Sequence, residues 1–210
     1  MSRVEIIGFP QSTYVRVVRM ACEEKGIPYD LIPVRPHAPE AEAIHPLGKV
    51  PAMRHGDLTL CESKAIASYL DRTFDGPKLI PEEPRRAAEV EQWVSLVNTS
   101  IDPVMVRQYL LAYVFPKSPD GKPDRAVIDA ALPEMEKQAK ILDRAVAGGH
   151  LVGDSFTLAD INLMPLLFYV RQTPEGGAMV RAATQLEAYY NRHAQRPSFA
   201  NTMPPPPPGK

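Results

Sequence analysis

Gly48–Lys49–Val50–Pro51, followed by Cys61–Glu62–Ser63–Lys64–Ala65–Ile66, is the stretch on which the fold turns. A Val–Pro bond is cis in only about 5% of cases in folded proteins, but Pro51 stands between a helical stretch and a short apolar strand, Pro51 to Arg54. A backbone turned back at this point leaves the amide and carbonyl of Val50 unpaired, as an edge that an extended peptide can join. Ser63 then stands where an N-cap belongs, ahead of Ala65, Ile66, Tyr69 and Leu70 at helical spacing. A hydroxyl beside the free amides of a helix start favours a bound carboxylate. The stretch predicts a cis-proline turn, a hairpin around His55–Gly56–Asp57 and an anion-seating helix start.

Working outward, Val4–Glu5–Ile6–Ile7 reads as a strand and Gly8–Phe9–Pro10–Gln11 as a turn. Ser12 onward reads as a helix carrying Val15, Val18, Arg19 and Cys22 with a stop at Gly26, and Ile27 to Val34 returns as a strand. Far downstream lies Gly153–Asp154–Ser155–Phe156–Thr157–Leu158–Ala159–Asp160–Ile161. Thr157 and Asp160 there form a variant capping box, with Phe156 placed to staple against Ile161.

Together these stretches resemble the glutathione S-transferase family, and the resemblance covers nearly the whole chain except its tail. It implies an α/β N-terminal thioredoxin-like domain, in β-α-β then β-β-α order, followed by an all-α C-terminal helical-bundle domain. The expected boundaries are residues 1–77 for the first domain, 78–86 for a linker, 87–200 for the helical domain and 201–210 for a Pro-rich flexible tail. The linker expectation rests on the prolines of Asp75 to Pro84, which suit a stiff connection.

After Pro84 the pattern is helical: Val90, Trp93, Val94, Val97, Ile101 and Val104 recur at threes and fours, as do Ile128, Leu132, Met135, Ala139, Leu142 and Val146. Two long antiparallel helices are expected, broken by the turn-rich Phe115 to Pro123. Pro133 and Pro165 interrupt helical runs, each as a kink or as a shifted start. Pro204 to Pro208 should be extended.

A chain of 210 residues with 44% apolar content can bury two cores of unequal size. Its 24 basic and 25 acidic residues give a net charge of −1, which argues against nucleic acid or a membrane surface as partner. Cys22 and Cys61 are the only cysteines, and neither a signal peptide nor a spanning apolar run is visible, so a reducing cytoplasm is expected. No CxxC occurs and His37, His45, His55, His150 and His193 are scattered, so no metal is expected.

The resemblance implies glutathione as co-substrate. A sulfur nucleophile must be a thiolate, although an ordinary thiol titrates near about 8.5. Ser12, at the start of the first helix, offers a hydrogen-bond donor and the positive end of a helix dipole. By its place after Gly8–Phe9–Pro10–Gln11 it matches the active-site serine of serine-type transferases, phi-like or of a related bacterial class, with Thr13 and Tyr14 as rivals. The resemblance also places the Val50 backbone, next to Pro51, against the cysteinyl part of glutathione. It sets Glu62 and Ser63 against the γ-glutamyl amine and carboxylate, and Lys49 and His37 against the glycyl carboxylate. Glu62 as a solvated acid, Lys49 as a surface cation and His37 as a loop histidine are the plain alternatives.

The electrophile is expected between the domains, near Phe9, Gln11, Tyr14, Arg107, Gln108 and Leu111. The implied function is a homodimeric glutathione transferase acting on small hydrophobic electrophiles. A non-catalytic ligand-binding or scaffolding protein and a glutathione-dependent reductase or isomerase are the alternatives. Serine at the position after the turn leaves a reductase without a protein thiol there.

Overall fold

The computed structural model describes residues 3–116 and 121–205. The chain divides into two compact units: one holds the residues up to Glu82 together with those from Gln195 onward, the other is Glu83–Ala194.

In the first unit, β1 (Val4–Ile7), α1 (Thr13–Lys25), β2 (Tyr29–Ile32), α2 (Pro39–Glu42), β3 (Ala52–His55), β4 (Leu58–Cys61) and α3 (Ser63–Thr73) follow in chain order. The four strands form one sheet in the order β2-β1-β3-β4. Strands β1 and β2 are parallel, with Val4 opposite Tyr29, while β3 is antiparallel to both β1 and β4. This is the mixed sheet implied by the resemblance. The strands begin or end within a few residues of their expected positions, Pro51 standing just outside β3.

The period of each element explains its burial. Val4 and Ile6 of β1 share a core with Val15, Val18 and Cys22 of α1, Met53 of β3 and Ile66 and Leu70 of α3. Such alternation on strands and i, i+3, i+4, i+7 spacing on helices puts one side of each into the same layer. Gly26 closes α1 in the left-handed conformation (φ 67°), and its amide donates to the carbonyls of Cys22 and Glu23. Gly56, also at positive φ, turns β3 into β4, and His55 faces Leu58 across the loop.

The segment read as a stiff linker is fastened to this unit at Leu79. Leu79 is buried, and its amide donates to Asp71 Oδ1 at 2.8 Å. The far end of the chain belongs here too, which corrects both the expected end of the helical domain at residue 200 and the expected start of the tail at 201. Helix α10 (Pro197–Asn201) packs on α1, and Thr202 is fully buried. Arg16 and Arg19 of α1 hold it. Arg16 donates to the Phe199 carbonyl at 2.9 Å with its guanidinium over the Phe199 ring, and Arg19 donates to the carbonyls of Asn201 and Thr202. Arg196 forms a two-pronged pair with Glu24, both contacts at 2.7 Å. Most of the Pro-rich run, from Pro206, lies outside the described residues, as do residues 117–120 of the turn-rich break.

The second unit is helical: α4 (Pro84–Leu96), α5 (Leu111–Val114), α6 (Arg125–Ala145), α7 (Leu158–Val170), α8 (Pro174–Ala182) and α9 (Thr184–His193). Between α4 and α5 the chain runs on as π-helix over Val97–Ile101 and Pro103–Leu110, a departure from the regular spacing expected there. The wider turn brings Arg107 Nε within 3.0 Å of the buried Asp102 Oδ2, five positions earlier. Pro133 and Pro165 both lie inside helices rather than at shifted starts.

Asp160 organises the start of α7. Its carboxylate accepts from the Thr157 amide at 2.8 Å, the Thr157 hydroxyl at 3.0 Å, the Leu151 amide at 2.9 Å and the Tyr189 hydroxyl at 2.9 Å. The expected capping box is present. The ring of Phe156, the residue expected to staple against Ile161, also stands 4.9 Å from that of His193.

Candidate active site

Ser12 is the N-cap of α1, with extended backbone (φ −70°, ψ 129°), and its hydroxyl accepts from the Val15 amide at 3.4 Å. The turn before it is closed by Gly8 and Ser12. The Gly8 amide donates to the Ile32 carbonyl at 3.0 Å, and the Ser12 amide donates to the Phe9 carbonyl at 3.1 Å. A Cβ on Gly8 would press on Val15 Cγ2 and stand 3.2 Å from Val50 Cβ. Only a glycine lets the turn that carries Ser12 come this near to Val50. No acidic side chain lies in the first turn of α1, so its positive end is not neutralised locally.

The Val50–Pro51 bond is cis, as expected. Among the described residues, no backbone hydrogen bond of the turns and loops uses the amide or carbonyl of Val50. Pro51 itself is buried, and Lys49, one residue before Val50, is exposed.

The helix start at α3 differs from the expectation. Ser63 is the first residue inside the helix and is buried, while the N-cap position belongs to Glu62, whose side chain makes no capping bond. Glu62 has φ 70° and ψ 113°, a region that a residue with a Cβ rarely adopts. The surrounding turn imposes it, since the chain must leave β4 at Cys61 and enter α3 within one residue. Among the described residues only Glu62 and His37 combine a side chain with positive φ. Both are glutathione-contact candidates from the sequence, and backbone held against its preference gathers at functional sites.

His37 is exposed in its loop, where its amide donates to the Gly48 carbonyl at 2.7 Å. A Cβ on Gly48 (φ +60°) would come within 2.9 Å of His37 Nδ1, so the pair is built around that glycine. The loop around Gly48 also holds a residue that sequence reasoning missed. His45 is buried, accepts from the Leu47 amide at its Nδ1 (3.0 Å) and sets its Nε2 3.2 Å from Glu62 Oε1. The available signal was weak: a histidine two residues before an amide it could cap.

Of the electrophile candidates, Phe9, Gln11 and Tyr14 are half-buried at the start of the first unit's α1. Arg107 and Gln108 are exposed on the π-helical stretch of the second unit, and Leu111 is half-buried where α5 begins. Cys22 is fully buried, and burial, helped by the Glu23 carboxylate, pushes its thiol up to about 12. Its proton stays on at neutral pH, which removes it as a redox nucleophile.

Comparison with known proteins decides the family. A family model described as glutathione S-transferase, N-terminal domain, matches residues 6–78, and one described as glutathione S-transferase, C-terminal domain, matches 103–197. The chain belongs to the glutathione S-transferase family. Glutathione S-transferase 3 of Zea mays is 32% identical, over 99% of this chain and 98% of its own. Among solved structures, glutathione transferase F7 from Populus trichocarpa superposes with a TM-score of 0.83 at 28% identity, covering 95% of this chain and 97% of its own. A theta class glutathione S-transferase from Xanthomonas axonopodis pv. citri, solved with glutathione bound, gives a TM-score of 0.80 at 28% identity, covering 96% and 97%. In glutathione S-transferase terms, Ser12, Val50, Glu62 and Ser63 all lie in the unit matched by the N-terminal domain model.

Proposed function

We propose that this chain is a glutathione transferase that binds glutathione on its first unit and activates the thiol as thiolate for attack on small hydrophobic electrophiles. Ser12 at the N-cap of α1 carries the reading. Its oxygen accepts from the Val15 amide, and a hydroxyl that accepts still has its proton to donate. That proton and the uncompensated helix start together favour a sulfur anion over a thiol. A shift of one to two pKa units needs only about 1.4 to 2.7 kcal/mol.

Glutathione would lie extended along Val50, whose amide and carbonyl pair with its cysteinyl backbone as a strand edge pairs with a peptide. Glu62 takes the γ-glutamyl ammonium and Ser63 the neighbouring carboxylate, at the amides that open α3. Lys49 and His37 meet the glycyl carboxylate. Phe9, Gln11 and Tyr14 are the candidates for electrophile contact on the first unit, and Arg107, Gln108 and Leu111 those on the second. The family resemblance further supports a homodimer working in the cytoplasm. No helix among the described residues is long and apolar enough to cross a membrane.

Conjugation of a generic aryl halide, followed with the native chain and with Ser12→Ala, tests the reading. Turnover by the native chain that falls by roughly two orders of magnitude in the variant is expected for loss of a transition-state donor. Retention of glutathione without turnover by the native chain would make it a carrier, and no retention would overturn the glutathione site itself.

A further inference from the structure

We infer that His45 is a positioning residue for glutathione recognition: its ring proton holds one carboxylate oxygen of Glu62 and leaves the other to accept from the γ-glutamyl ammonium. This rests on the reading of Glu62 as a glutathione contact.

The imidazole is fixed from several sides. His45 is 3% exposed, its own amide donates to the Ala41 carbonyl at 2.8 Å, and its carbonyl accepts from the Gly48 amide at 2.8 Å. The Leu47 amide points at Nδ1 from 3.0 Å. An amide N–H can only donate, so Nδ1 must carry a lone pair, and in the neutral ring the proton sits on Nε2. That nitrogen is the one 3.2 Å from Glu62 Oε1.

Glu62 needs such a restraint. Its side chain is 70% exposed, whereas that of His45 is only 4% exposed. A long, solvated carboxylate otherwise loses rotamer freedom when it captures a ligand, and restraint in advance removes that cost. The backbone at φ 70° aims the side chain and the imidazole stops it turning. Capping the Leu47 amide requires only one acceptor, which an asparagine could supply. Reaching Glu62 as well requires a second nitrogen on the far side of a ring, and this separates the positioning role from a local turn cap.

The test is a double-mutant cycle on the full chain, with glutathione itself as the probe. Kd for glutathione and the kcat and KM of aryl halide conjugation are measured for the native chain, His45→Asn, Glu62→Gln and the double variant. His45→Asn is expected to raise Kd roughly three- to tenfold with kcat little changed. The double variant is expected to bind no more weakly than Glu62→Gln alone. An unchanged Kd in His45→Asn, or losses that multiply in the double variant, would overturn the proposal. Nitrogen NMR of the native imidazole gives a second readout that needs no folded His45 variant. Nε2 should be protonated, and its resonance should move in Glu62→Gln; the opposite tautomer or an unmoved resonance would also overturn it. If the native chain failed to bind glutathione while that resonance responded to Glu62→Gln, the glutathione reading would fall and the pairing would stand.

Discussion

Lys25 Nζ and Asp71 Oδ1 meet at 3.2 Å with their side chains 0% and 4% exposed, joining the last turn of α1 to the end of α3. Asp71 also accepts from the amides of Leu79 and Ile80, and Lys25 donates to the Pro77 carbonyl. One ion pair thus fixes the spacing of the two helices that open at Ser12 and Ser63, and pins the chain that leaves the unit. Burying two charges is tolerated because every one of these groups has a partner.

Asp71→Asn should therefore destabilise the protein by about 3 kcal/mol or more, since it leaves the Lys25 ammonium buried without its counter-charge. Equilibrium denaturation checks this. A loss under about 1 kcal/mol would show that water reaches the pair.

Asp160 is fully buried and accepts four hydrogen bonds from three stretches of chain. Asp160→Asn should cost about 3 kcal/mol, because an amide cannot serve four donors and some are left unpaired in the core. Tyr189→Phe removes one donor and should cost about 1 kcal/mol. Paired denaturation curves of the two variants give the comparison.

Glu175 accepts from the hydroxyls of Tyr109 and Tyr113 and pairs with Arg125 at 2.6 Å. Burial alone would raise its pKa, but the Tyr113 and Arg125 bonds, with that of Tyr109, outweigh it and hold the carboxyl at about 2. A folded value below the unfolded one of about 4.3 means that this stabilisation is full above the unfolded value and is lost as pH falls toward about 2. Glu175→Gln should flatten that acid limb. Denaturant midpoints for both chains at about pH 3 and about pH 6 decide it, the native chain showing the larger drop.

Glu62→Gly should bind glutathione more weakly and yet fold at least as stably. The substitution removes the carboxylate, but it also relieves backbone held at φ 70° and ψ 113°, a strain of about 1 kcal/mol or more. Melting temperature and glutathione affinity measured on the same sample should move in opposite directions, as expected where a site is maintained at the expense of stability.

The features legible in the sequence are those set by neighbours along the chain. Ser12 before an apolar helix, Gly26 after it, Gly56 in the hairpin and the Thr157 to Asp160 spacing each state their conformation within a few residues. What escaped depends on distant partners. Ser63 has the composition of an N-cap, but the geometry of leaving β4 moves the cap to Glu62 and draws Ser63 into the helix. His45 becomes meaningful only when the fold brings Glu62 to it. The burial of Arg16 and Arg19 cannot be read from their neighbours along the chain, because the carbonyls of Phe199, Asn201 and Thr202 that hold them lie at the other end of the chain. The π-helical run carries apolar residues whose threes and fours fit an ordinary helix equally well.

In the proposed function the Ser12 hydroxyl holds the sulfur of bound glutathione as an anion. Ultraviolet titration of the thiolate in the binary complex tests it directly, in the native chain and in Ser12→Ala at saturating glutathione. A bound thiol titrating one or two units below its free value of about 8.5 is expected in the native chain, and a value back near that of the free thiol in the variant. A variant that binds glutathione and keeps the lowered value would contradict it.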